Sequence, residues 1–240
     1  MKRLGVLMPW WLCFFSSFAF AQDDGKEFIK RMNNVYATAS SVSMSFEVDY
    51  YALAAQLDPT TKAKGEVKYS GKNYYSDAMG QIVLVNKNYS LIIDEAEHTI
   101  TCLPGSEESK EDKKANVNAA ATGAPDSAWA SATKVRLLDK QGEFRHVEII
   151  GNDGIYEKTI LKINATTYAL EEVVYYYKKL ENGMSPKLVV TYSAVRFGTA
   201  LNAADFSEKK YIQKKNGKLI ASPAWSNYEI IDLTSGIDIK

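Results

Sequence analysis

Few of the side chains that most often perform chemistry occur in this chain. It has two histidines, His98 and His146, and two cysteines, Cys13 and Cys102. Neither histidine stands at the spacing of metal ligands, and Cys102 is the one cysteine outside the apolar amino-terminal run, so no Cys/His zinc site can be assembled. His98 lies in an acidic stretch that is typical of a solvated turn. We therefore predict no metal and no other cofactor.

The sequence also lacks the motifs of nucleophilic, phosphate-binding and metalloprotease sites. It has no G-x-S-x-G, no Gly-rich phosphate loop and no H-E-x-x-H. Glu171 and Glu172 are adjacent, so on a strand they point to opposite faces and suit paired acid/base catalysis poorly. A hydrolase would need a serine to converge with His98 or His146. We predict that the chain is not an enzyme.

The first 21 residues have the pattern of an export signal. Lys2 and Arg3 precede an almost wholly apolar run over residues 4–15, and Ala19-Phe20-Ala21 matches a cleavage site. An uncleaved membrane anchor is the alternative, but the run is shorter than the ~20 residues that a bilayer requires. We expect a signal peptide over residues 1–21, cleaved after Ala21, and an exported protein with no transmembrane segment.

The positions of the cysteines refine this prediction. Cys13 follows Trp10, Trp11 and Leu12 rather than small residues, so lipidation there is not expected. Removal of the leader leaves Cys102 without a disulfide partner. Cys102 lies in an apolar run and is interpreted as a buried, inert thiol.

Composition favours one exported, strand-rich domain over residues 22–240. The chain has 29 basic and 29 acidic residues, and loss of Lys2 and Arg3 leaves a net charge of −2. That balance gives no support to nucleic-acid binding. The 15 tyrosines and many β-branched residues favour β-sheet.

Periodicity predicts one leading helix and then a series of strands. Apolar residues recur at helical spacing over residues 24–40, and residues 42–50 alternate strictly between apolar and polar. Short turns imply that the strands form an antiparallel meander. The predicted strands are 42–50, 63–69, 74–78, 81–86, 89–95, 99–103, 144–150, 156–163, 170–179 and 187–197, and 211–213 pairs with 218–221.

A segment of different amino-acid composition interrupts the series of strands. Residues 104–132 are charged and poor in large apolar side chains, which predicts a mobile insertion. A helix is predicted to begin after Pro125 or Asp126, with Trp129, Val135 and Leu138 as its anchors to the sheet.

The order of these elements resembles the periplasmic outer-membrane lipoprotein carrier family, which is LolA/LolB-like. The resemblance spans nearly the whole mature chain and consists of the order and spacing of the elements rather than one specific motif. The segments that carry it are 32–46, 65–69, 74–76, 81–85, 89–94, 163–170 and 189–192.

The resemblance implies a mainly β (α+β) fold with an apolar cavity for acyl chains. The expected architecture is a strongly curved antiparallel sheet, or half-open β-barrel, of about ten or eleven strands. An N-terminal helix and the central helical insertion would cover it. The side chains that we expect to line the cavity are Met44, Phe46, Val48, Tyr50, Val67, Tyr69, Ile82, Leu84, Leu91 and Ile93. The same side chains would equally suit a packed core.

The function implied is a soluble periplasmic carrier that binds lipid or lipoprotein acyl chains, with envelope membrane proteins as further partners. The chain departs from the carriers in one respect: they have an arginine after the strand that corresponds to 65–69, whereas this chain has Lys72. Lysine lacks the planar donor fork of arginine. The alternative is a non-enzymatic scaffold protein of the cell envelope with the same fold and a filled cavity.

Overall fold

One helix and a long succession of strands make up the computed structural model, which describes residues 21–105, 132–139, 142–151 and 154–234. The helix α1 covers Ala21–Thr38. The strands are β1 (Ser41–Tyr51), β2 (Thr61–Ser70), β3 (Asn73–Ala78), β4 (Gln81–Val85), β5 (Tyr89–Asp94), β6 (Thr99–Pro104), β7 (Ala132–Leu137), β8 (Phe144–Gly151), β9 (Tyr156–Asn164), β10 (Leu170–Tyr177), β11 (Lys187–Phe197), β12 (Ile212–Lys215), β13 (Lys218–Ala221) and β14 (Glu229–Asp232).

Twelve of these strands form one curved sheet that does not close into a barrel. Their order is β14-β6-β5-β4-β3-β2-β1-β11-β10-β9-β8-β7, and every pair except β14–β6 is antiparallel. This architecture confirms the predicted mainly β fold with a half-open barrel and an N-terminal helix. The sheet exceeds the expected ten or eleven strands because β7 and β14 join its two edges.

Helix α1 crosses one face of the sheet and shows which way the sheet bends. Gly25 packs on β7, where a side chain at Gly25 would approach the main-chain carbon of Arg136 to 3.1 Å. Tyr36 accepts a hydrogen bond from the Tyr69 hydroxyl on β2. These helix positions are about 16 Å apart, whereas the seven strands from β2 to β7 would span about 29 Å if flat. The sheet therefore curves around α1.

The register gives the sheet two chemically different faces over most of its width. Residues directly opposite each other on neighbouring strands share a face. We call the face that contacts α1 the inner face; it carries Val42 and Met44 on β1, Val190 on β11 and Val173 on β10. The outer face carries ion pairs between neighbouring strands, such as Lys64 with Glu47 at 2.5 Å.

The outer face of β3 to β6 is instead apolar, and the C-terminal segment covers it. Phe206, Tyr211 and Ile212 are buried there against Leu84 and Leu91. The segment contains short 3-10 helices at Ala203–Phe206, Glu208–Lys210 and Pro223–Trp225 and then adds β14 to the edge of β6. It therefore forms a second core on the side of the sheet opposite α1.

The predicted strands of both halves are confirmed, with bounds that differ by one or two residues. The predicted hairpin near residue 216 is also confirmed, since Asn216 and Gly217 have φ of 52° and 81° between β12 and β13. The prediction for Val135 was wrong. Val135 was expected to anchor a helix, but it lies buried in β7. Leu138 was expected to pack on the sheet, yet it is 46% exposed.

Two predictions fall outside the described residues. Residues 1–20 of the expected signal peptide are one, and most of the insertion 104–132, with its predicted helix and Trp129, is the other. Among the described residues, none of the helices is long and apolar enough to cross a membrane.

Candidate functional site

The ten side chains expected to line one cavity lie on opposite faces of the sheet. Met44 is opposite Val67 on the inner face, whereas Tyr75, which is opposite Leu84, points to the outer face. The register therefore separates the ten into two sets. The inner set is Met44, Phe46, Val48, Tyr50, Val67 and Tyr69, and the outer set is Ile82, Leu84, Leu91 and Ile93. One cavity cannot contain both sets.

The outer set is enclosed. Ile82 is 3% exposed, and Leu84, Leu91 and Ile93 are fully buried against the C-terminal segment. These four side chains make up part of a packed core, which was the alternative that the sequence left open for them.

The inner set is only partly covered. Met44, Val48, Val67 and Tyr69 are buried in the core that includes α1, whereas Phe46 and Tyr50 are half-buried. The contacts of α1 with Tyr168, Leu170 and Tyr69 all lie at one end of the strands, so the other end lies farther from the helix.

A group of apolar residues that the sequence did not single out lies on the same face, beyond the helix. We call Val83, Val85, Ile92 and Leu103 the open strip; the register places them on the inner face with Val67 and Tyr69. All four are half-buried, and neither core cluster of the described residues includes them. Strands β4 and β5 are apolar on both faces, so their alternation gave no signal that identified the inner side.

Tyrosines continue the inner face at its less covered end. Tyr175 is buried, and Tyr156 packs beside it with a ring separation of 4.9 Å and beside Tyr177 at 5.0 Å. Burial raises the pKa of Tyr177 to about 12 and that of Tyr175 still further. Tyr176 faces the other way, under the Lys158 ammonium. The phenols of Tyr175 and Tyr177 are therefore neutral at physiological pH, and each ring presents apolar surface with a polar hydroxyl at its tip.

The residues singled out for chemistry do not converge. His146 contacts Asp139 at 2.5 Å, while His98 lies in the exposed β5–β6 turn. Cys102 is buried, and that burial raises the pKa of its thiol to about 11. Among the described residues, no group of three or more His, Cys, Asp or Glu side chains is arranged to hold a metal.

A depression of about 430 Å³ lies over β1, β2, β3 and β11. The side chains that bound it include Glu47, Glu66 and Asp77, together with Lys64 and Ser193. Ion pairs such as Lys64–Glu47 already satisfy part of this charge. Phe46 and Gly65 also line the depression, so its wall is of mixed polarity.

The proteins found to be similar to this chain are solved structures. Neither a family model nor a curated protein matches the chain. A DUF1329 family protein from Desulfovibrio piger matches with a TM-score of 0.37 and 12% identity, over 78% of this chain and 98% of that chain.

Two further structures have similar scores. MucB in the MucA/MucB complex of Pseudomonas aeruginosa matches with a TM-score of 0.42 and 10% identity, over 77% of this chain and 60% of that chain. A LolA superfamily protein from Nitrosomonas europaea matches with a TM-score of 0.34 and 13% identity, over 77% of this chain and 97% of that chain.

Proposed function

We propose that this protein is a periplasmic lipid- or lipoprotein-binding carrier that holds acyl chains against the inner face of its sheet. The observation that carries the proposal is the open strip, four half-buried apolar side chains that no described core cluster includes. Half-buried apolar side chains at Tyr74, Phe46 and Leu188 pack against the core around α1 and continue the inner face across the sheet. The proposed ligand is therefore elongated and apolar.

The energetics favour such a ligand. Each methylene that leaves water for an apolar surface contributes about 0.8 kcal/mol, so a long acyl chain gains more here than a small polar molecule. Curvature of the sheet around α1 turns the inner face into a trough, which shields a bound chain better than a flat sheet does. Binding of this kind needs no catalytic group, and the proposal assigns none.

The proposed compartment rests on the amino-terminal sequence. Residues 1–21 have the order of an export signal, and Cys13 lacks a lipidation context. A protein released into the periplasm without a lipid anchor is free to move between two membranes. Donor and acceptor proteins in those membranes would be its partners.

Native mass spectrometry of the exported protein tests this function. The protein is purified from the periplasm without detergent and sprayed from a volatile buffer. We expect a second mass peak that exceeds the polypeptide by the mass of a lipid or acylated peptide, and the delipidated protein should bind a fluorescent fatty acid. A bare polypeptide that also fails to bind the fatty acid contradicts the proposal.

A filled scaffold of the cell envelope is the second candidate, and one observation favours it. Beneath α1 the inner face is tightly packed, since Met32, Val42 and Leu161 are each fully buried. If ligand and fatty-acid binding are both absent, this interpretation takes the place of the carrier.

A further inference from the structure

Exposed apolar side chains concentrate at one edge of the sheet. We call the edge with the β1–β2, β8–β9 and β10–β11 connections the upper edge. Leu57 in the β1–β2 connection is 93% exposed and Leu53 is 51% exposed; Ile155 before β9 is 62% exposed and Leu180 after β10 is 43% exposed. These are large apolar residues in water, at the ends of three separate hairpins.

Backbone hydrogen bonds join these three connections into one surface. The N–H of Ala54 donates to the carbonyl oxygen of Ser185 at 2.8 Å, which ties the β1–β2 connection to the β10–β11 connection. The N–H of Lys178 donates to the carbonyl oxygen of Ile155 at 2.9 Å, which ties the β10–β11 connection to the start of β9. We call Leu53, Leu57, Ile155 and Leu180 the apolar rim.

The connections at the opposite, lower edge present mainly polar residues. Its β2–β3 connection presents Gly71 and Lys72, its β4–β5 connection presents Lys87, and its β9–β10 connection presents Thr166 and Thr167. Leu138 in the β7–β8 connection is the exposed large apolar residue of the described part of this edge. The asymmetry between the edges indicates that the apolar rim has a role of its own.

Tyrosine and lysine side chains flank the rim. The Lys187 ammonium lies 4.3 Å from the ring centre of Tyr51, and that of Lys158 lies 4.7 Å from the ring centre of Tyr176. Tyrosines with a wet hydroxyl, and lysines whose stems lie on apolar surface, are typical of residues at the level of lipid headgroups. Carboxylates also lie along this edge, with Asp58 and Glu181 beside the rim and Glu95 and Glu97 in the β5–β6 turn, so the edge has mixed charge.

We propose that the apolar rim inserts into the surface of a phospholipid bilayer. Leucine and isoleucine side chains would enter the acyl boundary, while tyrosines and lysines remain among the headgroups. A bilayer fits better than a protein partner because charged residues such as Asp58 and Glu181 stand directly beside the apolar ones, whereas the centre of a protein interface is depleted of charge. The inference stands apart from the proposed function, although docking here would turn the less covered end of the inner face toward the membrane.

Vesicle flotation tests the inference. The exported protein is mixed with vesicles of phosphatidylethanolamine and phosphatidylglycerol at low and high salt. We expect flotation at both salt concentrations, because apolar insertion is not screened, and roughly tenfold weaker partitioning for Leu57→Ser. Leu138→Ser is the matched control, an exposed leucine at the lower edge, and should float like the original protein.

A second variant reports insertion directly. Leu57→Trp should be quenched by brominated lipids, whereas Leu138→Trp should not. The inference is overturned if the original protein fails to float, if its binding vanishes at high salt, or if Leu138→Ser weakens flotation as much as Leu57→Ser. Fatty-acid binding in the absence of vesicles should be unchanged in Leu57→Ser, which separates this result from failure of the carrier proposal.

Discussion

The hydroxyl of Tyr69 donates a hydrogen bond to the main-chain carbonyl oxygen of Tyr36. Tyr36 lies in the last turn of α1, where carbonyl groups lack partners within the helix. The Tyr36 hydroxyl in turn accepts from the N–H of Leu170 at 3.1 Å. One end of the helix is thus tied to β2 and β10, on either side of the β1–β11 pair.

Loss of the Tyr69 hydroxyl should therefore weaken the fold. We expect Tyr69→Phe to lower the free energy of unfolding by about 1–2 kcal/mol, because a buried carbonyl loses its donor. Tyr74→Phe is the control, since Tyr74 is directly opposite Tyr69 on β3 and only half-buried. Urea unfolding followed by circular dichroism measures both. Equal losses in the two variants would contradict the role given to the Tyr69 bond.

Alkaline pH should destabilise the protein through these tyrosines. Burial raises the pKa of Tyr36 and of Tyr69 to about 12, from about 10 in an unfolded chain. The stability that follows from this difference is complete below pH ~10 and is lost as pH rises toward ~12. Urea unfolding at a series of pH values should show this decline, and Tyr69→Phe should make it shallower. A stability that stays constant to pH 12 would refute the assignment.

The C-terminal segment should detach when Asn86 is truncated. The buried Asn86 amide donates to the carbonyl oxygen of Phe206 at 2.9 Å and to a Glu208 carboxylate oxygen at 2.8 Å. We expect Asn86→Ala to cost about 2–3 kcal/mol, because it leaves buried groups without partners. Limited proteolysis should then cut near residues 199–210 at a higher rate. Asn88→Ala, which removes one exposed bond to Glu208, is the milder control.

The hydrogen bonds that Asn86 and Asn88 donate to Glu208 should be sensitive to acid. Burial alone would raise the pKa of Glu208, but hydrogen bonds from its own N–H, Asn88 and Asn86 outweigh that effect and hold the pKa below 4.5. Its contribution to stability is present above pH ~4.5 and is lost as pH falls below that value. Glu208→Gln should therefore reduce the acid sensitivity of proteolysis near residues 199–210. If the pH profile of proteolysis is the same in Glu208→Gln as in the original protein, the Glu208 carboxylate does not hold the C-terminal segment.

Cys102 should be unreactive in the folded protein. It is buried, and its thiol has a pKa of about 11, so the nucleophilic thiolate is rare at pH 8. Labelling with an aromatic disulfide reagent at pH 8 should be slow before urea is added and rapid afterwards. Fast labelling of the folded protein would exclude the inert role.

The sequence predicted the strands well because alternation and turn residues are local signals. It could not predict which side chains share a face. Ile82 and Val83 are both apolar, so only the pairing of β4 with β3 decides that Ile82 points outward and Val83 inward. A one-residue change of register exchanges the two faces. This is why four of the ten expected cavity residues belong to the second core.

Strands β7 and β14 also depended on information that local sequence signals did not provide. Thr133, Val135 and Leu137 alternate with Lys134 and Arg136, a strand pattern that the neighbouring charged insertion obscured. Strand β14 has only four residues and gains its stability from pairing with β6, far away along the chain. Apolar contacts with a distant segment are not visible in local periodicity.

Acyl binding on the inner face is tested most directly by placing a charge in the open strip. Val83→Glu puts a carboxylate on the inner face, and Val174→Glu puts one at a half-buried valine on the outer face of β10. Affinity for a fluorescent fatty acid is measured for both variants, with folding verified by circular dichroism. We predict roughly tenfold or greater weakening for Val83→Glu and little change for Val174→Glu. Unchanged affinity in Val83→Glu, or equal weakening in both, would contradict the proposed carrier.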